Sequence, residues 1–207
     1  MIPTTEMVQY STCDYANALP RAQCMDIGIR ALWQPVQRTI GPAYTVRCEA
    51  GDNLMVHAAI YRAPKGSILV IDGGNSDFAM AGGNVCAVAA RKGIRGFVVD
   101  GAVRDVEEIE QLRFPVFGRG LMPKPGRKEK LGDLDRPVTC GGVHVYPGDI
   151  VVADREGVVV IPSGSVEETF LKVRARTDRE ENQSIEEWEA LHHVRIDRTL
   201  RELGYPD

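Results

Sequence analysis

The sequence predicts an α/β domain with a parallel β-α-β-α-β centre, an added group of short strands and a helical C-terminal end. Three observations carry this. Residues 67–72 (Ser-Ile-Leu-Val-Ile-Asp) and 94–100 (Ile-Arg-Gly-Phe-Val-Val-Asp) are short apolar runs closed by glycines, as strands buried on both faces are. Helical stretches follow both runs, so strand, helix, strand, helix, strand implies right-handed crossovers and a parallel sheet. The final third turns to β-rich runs and then to charged helical stretches.

Along the chain, Thr12 is placed to cap a helix beginning at Cys13. Residues 22–32 carry apolar residues at helical spacing, ended by Pro35. Residues 43–48 alternate like a half-buried strand. Asp52 precedes a helix over 53–60, which stops before Pro64-Lys65-Gly66. The run 67–72 closes at Gly73-Gly74-Asn75. A helix follows from Asp77 or Gly83 to Lys92. After the run 94–100, Gly101-Ala102-Val103 reads as a tight turn, 104–112 as a helix and 114–117 as a third short strand. The runs 143–146, 150–153 and 157–161 read as an antiparallel meander, split by Pro147-Gly148-Asp149 and by Asp154-Arg155-Glu156-Gly157. Ser165 with Glu168 three residues later forms a capping box opening a helix to Asn182. A second helix covers 185–203.

At 207 residues, one domain accounts for the whole chain, 1–207, with 183–207 as a helical tail packing on a neighbouring subunit. Net charge is −4, which gives no reason to expect nucleic acid or an anionic membrane as partner. No apolar run approaches the ~20 residues that span a bilayer. The N-terminus, from Met1 and Ile2 onward, lacks the basic and apolar regions of a secretory signal, so a cytoplasmic location is expected. Five separated cysteines (Cys13, Cys24, Cys48, Cys86, Cys140) fit free thiols better than a disulfide framework. Cys86 stands out for its position beside a glycine loop.

Two loops carry the chemistry. In Gly82-Gly83-Asn84-Val85, paired glycines allow close approach, and free amides at a helix start bind carboxylates. In Arg104-Asp105, a guanidinium fork that can grip an oxo acid sits beside a carboxylate that can hold a hard divalent cation, Mg²⁺ or Mn²⁺, with water completing its shell. Taken alone, the dipeptide also fits a solvated helix start with dipole compensation. Ligands of parallel sheets sit beyond the carboxyl ends of the strands, here Asp72-Gly73-Gly74 and Asp100-Gly101.

Gly83, twenty residues, Arg104, Asp105, two residues, then Glu108 resembles the signature of the RraA-like family. Gly51-Asp52-Asn53-Leu54-Met55-Val56-His57, Gly96-Phe97-Val98-Val99-Asp100-Gly101, Cys140-Gly141-Gly142-Val143 and Pro147-Gly148-Asp149-Ile150-Val151-Val152-Ala153-Asp154 extend the resemblance in order over roughly residues 35–180. The resemblance implies a swivelling β/β/α domain assembled as a homotrimer or hexamer. It also implies a class II aldolase of the 4-hydroxy-4-methyl-2-oxoglutarate / 4-carboxy-4-hydroxy-2-oxoadipate type, which also decarboxylates oxaloacetate. It assigns the carboxylate-holding amides to Gly82, Gly83, Asn84 and Val85, the substrate arginine to Arg104, the metal ligand to Asp105 and a supporting acid to Glu108. A glutamate from a neighbour's C-terminal helix would complete the site; Glu180 is the candidate, Glu181 the next. Family regulators that inhibit ribonuclease E lack the aspartate that this chain has at Asp105. A non-catalytic regulator, or a lyase or isomerase on another oxo acid, are the alternatives. The family is also known under a methyltransferase name, but no glycine-rich nucleotide loop is present.

Elsewhere the plain readings stand. His57 is a packed helix histidine, and His144, His192 and His193 lack zinc-ligand spacing. The cations Arg119, Lys124, Arg127, Lys128 and Lys130 read as solvated surface, or as a rim that attracts carboxylates. Lys124 lacks the apolar surroundings of a Schiff-base lysine.

Overall fold

A computed structural model describes residues 3–74 and 77–206. Met1, Ile2, Asp207 and Asn75, the last of the expected turn after the first buried run, lie outside the described residues. The elements, in chain order, are α1 (Thr4–Met7), α2 (Thr12–Ala18), β1 (Arg30–Ala31), β2 (Thr39–Arg47), α3 (Leu54–Ala59), β3 (Ile68–Asp72), α4 (Gly83–Arg91), β4 (Gly96–Val103), α5 (Val106–Gln111), β5 (Val116–Leu121), β6 (Asp133–Leu134), β7 (Val138–Cys140), β8 (Val143–Val145), β9 (Ile150–Asp154), β10 (Gly157–Ile161), α6 (Val166–Glu181) and α7 (Ile185–Glu202).

The expected α/β centre is present. Strands β2, β3, β4 and β5 run parallel in the order β5-β4-β3-β2, with Val70 beside both Thr45 and Val98. The sheet continues through antiparallel β9 and β10 on one side and β1 on the other. It curls until its ends nearly meet: the Met25 amide, just ahead of β1, donates to Val158 on β10, and Cys24 bridges Val159. The result is a nearly closed, barrel-like sheet. Alternate residues of the central strands feed two cores. Leu69, Ile71, Phe97 and Val99 pack with α3, α4 and α5 on one face. Ile68, Val70, Val98 and Phe117 pack inside, against β7, β8, β9 and β10. A third cluster seats Met7, Tyr15, Phe170 and Val173 over Val152 and Ile161.

Five expectations are corrected. Ser11, not Thr12, caps α2, in a reciprocal box with Asp14, while the Thr12 hydroxyl donates to Asp154. Residues 22–32 are not a helix. They form a single 3₁₀ turn (Arg21–Gln23) and then β1, because the amides of Met25 and Asp26 are taken by Val158 and Gly141 instead of by a preceding turn. Gly101-Ala102-Val103 is not a turn: after an irregularity past Val99, β4 resumes pairing, Ala102 with Gly120 and Val103 with Leu121. The meander is two separate hairpins, β7–β8 by itself and β9–β10 within the main sheet. Ser165 makes no cap bond to the α6 amides and donates instead to the Pro162 carbonyl; the real capping box is Ser184 with Glu187, at α7. Among the described residues no helix is long and apolar enough to cross a membrane.

Candidate active site

The three residues by which β4 outlasts its expected end decide where the site lies. Asp100 points to the inner face, where it accepts the Arg119 guanidinium and the Gly141 amide at 2.7 Å. Arg119 in turn grips Asp26 at 2.9 and 3.1 Å. Neighbouring Asp72, in register with Asp100, has its carboxyl pushed up by burial and by the Asp100 charge. Asp100 is thus held by structural partners, and β4 carries the chain on to Arg104 and Asp105 beyond it.

Both residues are fixed by the segment that opens α4. The Arg104 amide donates to Ala81 at 3.0 Å. Asp105, the residue preceding α5, adopts a left-handed backbone (φ 57°, ψ 41°), which costs a non-glycine residue about 1–2 kcal/mol and is tolerated best by Asp and Asn. The Gly83 amide donates to Asp105 Oδ2 at 3.2 Å, and Arg104 Nε lies 3.4 Å from the same oxygen. Asp105 Oδ1 has no protein partner among the described residues.

The two glycines leave room for the side chains of the facing loop. Gly82 has φ −153°, extended backbone open to any residue, yet a Cβ there would overlap Asp105 Oδ2. A Cβ on Gly83 would overlap the Glu108 carboxylate. The Gly-Gly of one loop and the Asp and Glu of the other are therefore two halves of one steric fit, which gives the spacing its physical meaning.

A cavity of about 180 Å³ opens at this junction, lined by Gly82, Asn84, Val85, Arg104 and Asp105, and by residues outside the expected set. These are Asn53 and His57 at α3, Ala79 and Ala81, and Pro125 and Lys128 of the loop after β5. His57 is half-buried, and burial together with the nearby Lys128 charge holds its imidazole below the ordinary 6.5. Lys128 is exposed at the rim of the cavity and His57 is packed in its wall, in keeping with both sequence readings. The signal available in the sequence was Gly51-Asp52-Asn53 at the head of α3. Asp52 is buried and caps Leu54 at 2.9 Å; it also accepts the amides of Glu129 at 2.7 Å and Lys130 at 3.1 Å. Burial would raise its carboxyl, but those amides outweigh it and hold it below the usual range.

Gly82, Gly83, Asn84, Val85, Arg104, Asp105 and Glu108 are thus brought together, although Glu108 packs behind the α4 start and does not line the cavity. Glu180 is not among them: it lies on α6, paired with Arg176 at 2.7 Å, beside a groove between α6 and α7. Cys86 is buried, and its thiol is pushed up to about 12 by desolvation and the Asp105 charge, so it is a packing residue and no thiolate. The Lys124 ammonium sits 4.1 Å from the Phe78 ring centre, outside the cavity lining.

The donor set suits a hard cation. It offers one free carboxylate oxygen with room for water and substrate oxygens, and no thiolate. No group of three or more His, Cys, Asp or Glu side chains is gathered as a cage among the described residues.

Comparison with known proteins gives the family. The RraA-like family model, described as Aldolase/RraA, matches residues 12–160. A protein of Halalkalibacterium halodurans named "Putative 4-hydroxy-4-methyl-2-oxoglutarate aldolase" is 43% identical over 140 residues, covering 67% of each chain. The solved structure of the RNA-processing inhibitor RraA from Thermus thermophilis superposes with a TM-score of 0.67 at 31% identity, covering 74% of this chain and 93% of that one. That of Streptomyces coelicolor RraAS2, an RNase ES inhibitor RraA family member, gives 0.74 at 28% identity, covering 92% and 96%.

Proposed function

The chain belongs to the RraA-like family, and from that premise we propose that it is an aldolase-type lyase that cleaves a 4-hydroxy-2-oxo acid to pyruvate and a second oxo compound. Oxaloacetate would lose CO₂ at the same site. The observation that carries the reading is the interlock of Gly82 with Asp105 and Gly83 with Glu108, which sets a free carboxylate oxygen, a guanidinium and helix-start amides around one cavity.

Each residue has a task. The amides of Asn84 and Val85, in the first turn of α4, face the substrate carboxylate, and the helix start favours the negative charge. Arg104 sets its positive charge where the 2-oxo oxygen gains electrons as the C3–C4 bond breaks, a contribution already in place before reaction. Asp105 holds a divalent cation, Mg²⁺ or Mn²⁺, which when bound supplies Lewis acidity. Glu108, behind the glycines, keeps the α4 start and the Asp105 turn in register. Glu180 of a neighbouring subunit, in a trimer or hexamer, is the candidate for moving the 4-hydroxyl proton.

The test is pyruvate release from several 4-hydroxy-2-oxo acids and from oxaloacetate with Mg²⁺. Turnover that stops in excess chelator and in Arg104→Ala is expected. Full activity in either condition overturns the reading. The RraA likenesses keep a regulatory alternative in view: an inactive chain that captures a ribonuclease would establish it.

A further inference from the structure

We propose that Asp52 is a positioning residue: its carboxylate latches the loop after β5 against the head of α3, and so holds one wall of the candidate cavity closed on a ligand. What the latch does for turnover rests on the reading of Arg104 and Asp105 as the oxo-acid end; the latch itself does not.

The loop between β5 and β6 has little packing to hold it. From residue 122 to 132 only Gly126 is buried, and Leu131 is 80% exposed. A segment that buries so little apolar surface opens readily unless polar contacts fasten it. Its first half has a backbone seam. The Ala79 amide donates to Lys124 at 2.8 Å and that of Gly126 to Ala79 at 3.1 Å; Arg127 donates to Gly51 at 2.9 Å and accepts the Asn53 amide at 2.8 Å. Past Arg127 the seam ends. From Lys128 to Gly132 the only backbone groups with a hydrogen bond, among the described residues, are the amides of Glu129 and Lys130, and both go to Asp52.

One carboxylate therefore joins two elements. Oδ1 caps the Leu54 amide at the start of α3, at 2.9 Å, while Oδ2 takes the Glu129 amide at 2.7 Å and the Lys130 amide at 3.1 Å. Asp52 is 2% exposed, so water competes little for these oxygens, and amide bonds to an ionised carboxylate are of the strong kind. Both joined elements line the cavity, with Asn53 and His57 on the α3 side and Pro125 and Lys128 on the loop side. Lys128 directly precedes the latched amides, so releasing them opens that wall. The apparent affinity for a ligand then falls with the fraction of time the loop is shut, while a saturating ligand restores the closed form.

Two variants of the full chain test the latch from either side. Asp52→Ser keeps a short oxygen for the Leu54 amide and reaches neither loop amide. Glu129→Pro removes one loop donor and leaves the buried carboxylate in place. Hydrogen exchange without substrate, read by mass spectrometry, should quicken about tenfold or more over residues 127–132 in both variants, while α3 stays as protected as before. With oxaloacetate and Mg²⁺, KM should rise about tenfold while kcat stays within about threefold. A loop that exchanges no faster in either variant overturns the latch. A loss carried by kcat with KM unchanged, as general disorder of the site would give, overturns the positioning role, and so does unfolding of both variants. An unaltered chain that turns over no oxo acid overturns the oxo-acid reading instead, and exchange still decides the latch.

Discussion

Gly83 and Glu108 contend for one volume: the place where residue 83 would carry a side chain is occupied by the Glu108 carboxylate. Gly83→Ala should therefore force either α4 or Glu108 to move. We expect a stability loss of about 1–3 kcal/mol and a fall in pyruvate release of about a hundredfold, the scale at which small misplacements cost rate. Adding Glu108→Ala to Gly83→Ala should return most of the stability. Denaturant melts of the single and double variants check this; additive losses would refute the shared volume.

Asp105→Asn separates charge from conformation. Asn accepts the left-handed backbone that Asp105 adopts, so the fold should persist with little change in Tm. Mg²⁺ affinity and Mg²⁺-dependent turnover should each drop by more than about a hundredfold. Titration calorimetry and the pyruvate assay read the two effects.

Asp154 predicts acid sensitivity. Burial would raise its carboxyl, but the Thr12 hydroxyl and amide, the Glu156 amide and Arg38 outweigh that and hold it below 3.8. A carboxyl lowered in the folded state stabilises above its unfolded pKa and ceases to as pH falls through the folded value. Asp52 has the same sign. Melts should show stability level near neutrality and declining below about pH 4. In Asp154→Asn that decline should be shallower, after a loss of about 1–3 kcal/mol at pH 7.

The tail makes a solution prediction. No side chain of α7 is buried within the chain, and Ile185, Trp188, Leu191, Val194 and Leu203 stand exposed along it. If this face packs on another subunit, Leu191→Glu with Val194→Glu should lower the mass seen by light scattering and lower turnover with it. Unchanged mass would assign the face to something else.

Much was legible because it rests on local rules. The buried Ile-Leu-Val runs, their glycine ends and the alternation with helices led to β3, β4 and the parallel order. The resemblance led to Arg104, Asp105 and the glycines. What stayed hidden depends on distant chain. Nothing near Met25 says that Val158 will take its amide. Nothing near Val99 says that β4 will recover pairing with β5 past Asp100. Lys128 reads as one cation among five until Asp52, far away in sequence, is seen to fasten its loop to α3. Gly82 and Gly83 suggest freedom for a ligand to approach; that a Cβ there would also meet Asp105 and Glu108 is visible only in the structure.

The meeting of residues 24 and 25 with β10 has a bearing on assembly. With Met25 and Cys24 laid along Val158 and Val159, the β10 margin of the main sheet is partly covered where a foreign strand could otherwise add itself. Any assembly of this chain would then rest on side chains of helices and loops, a kind of contact that one or two charge reversals can dissolve while the barrel stays intact. Opening the seam at Met25 would bare the amides and carbonyls of Val158 and Val159, so a contact far from the chemistry guards part of the sheet edge.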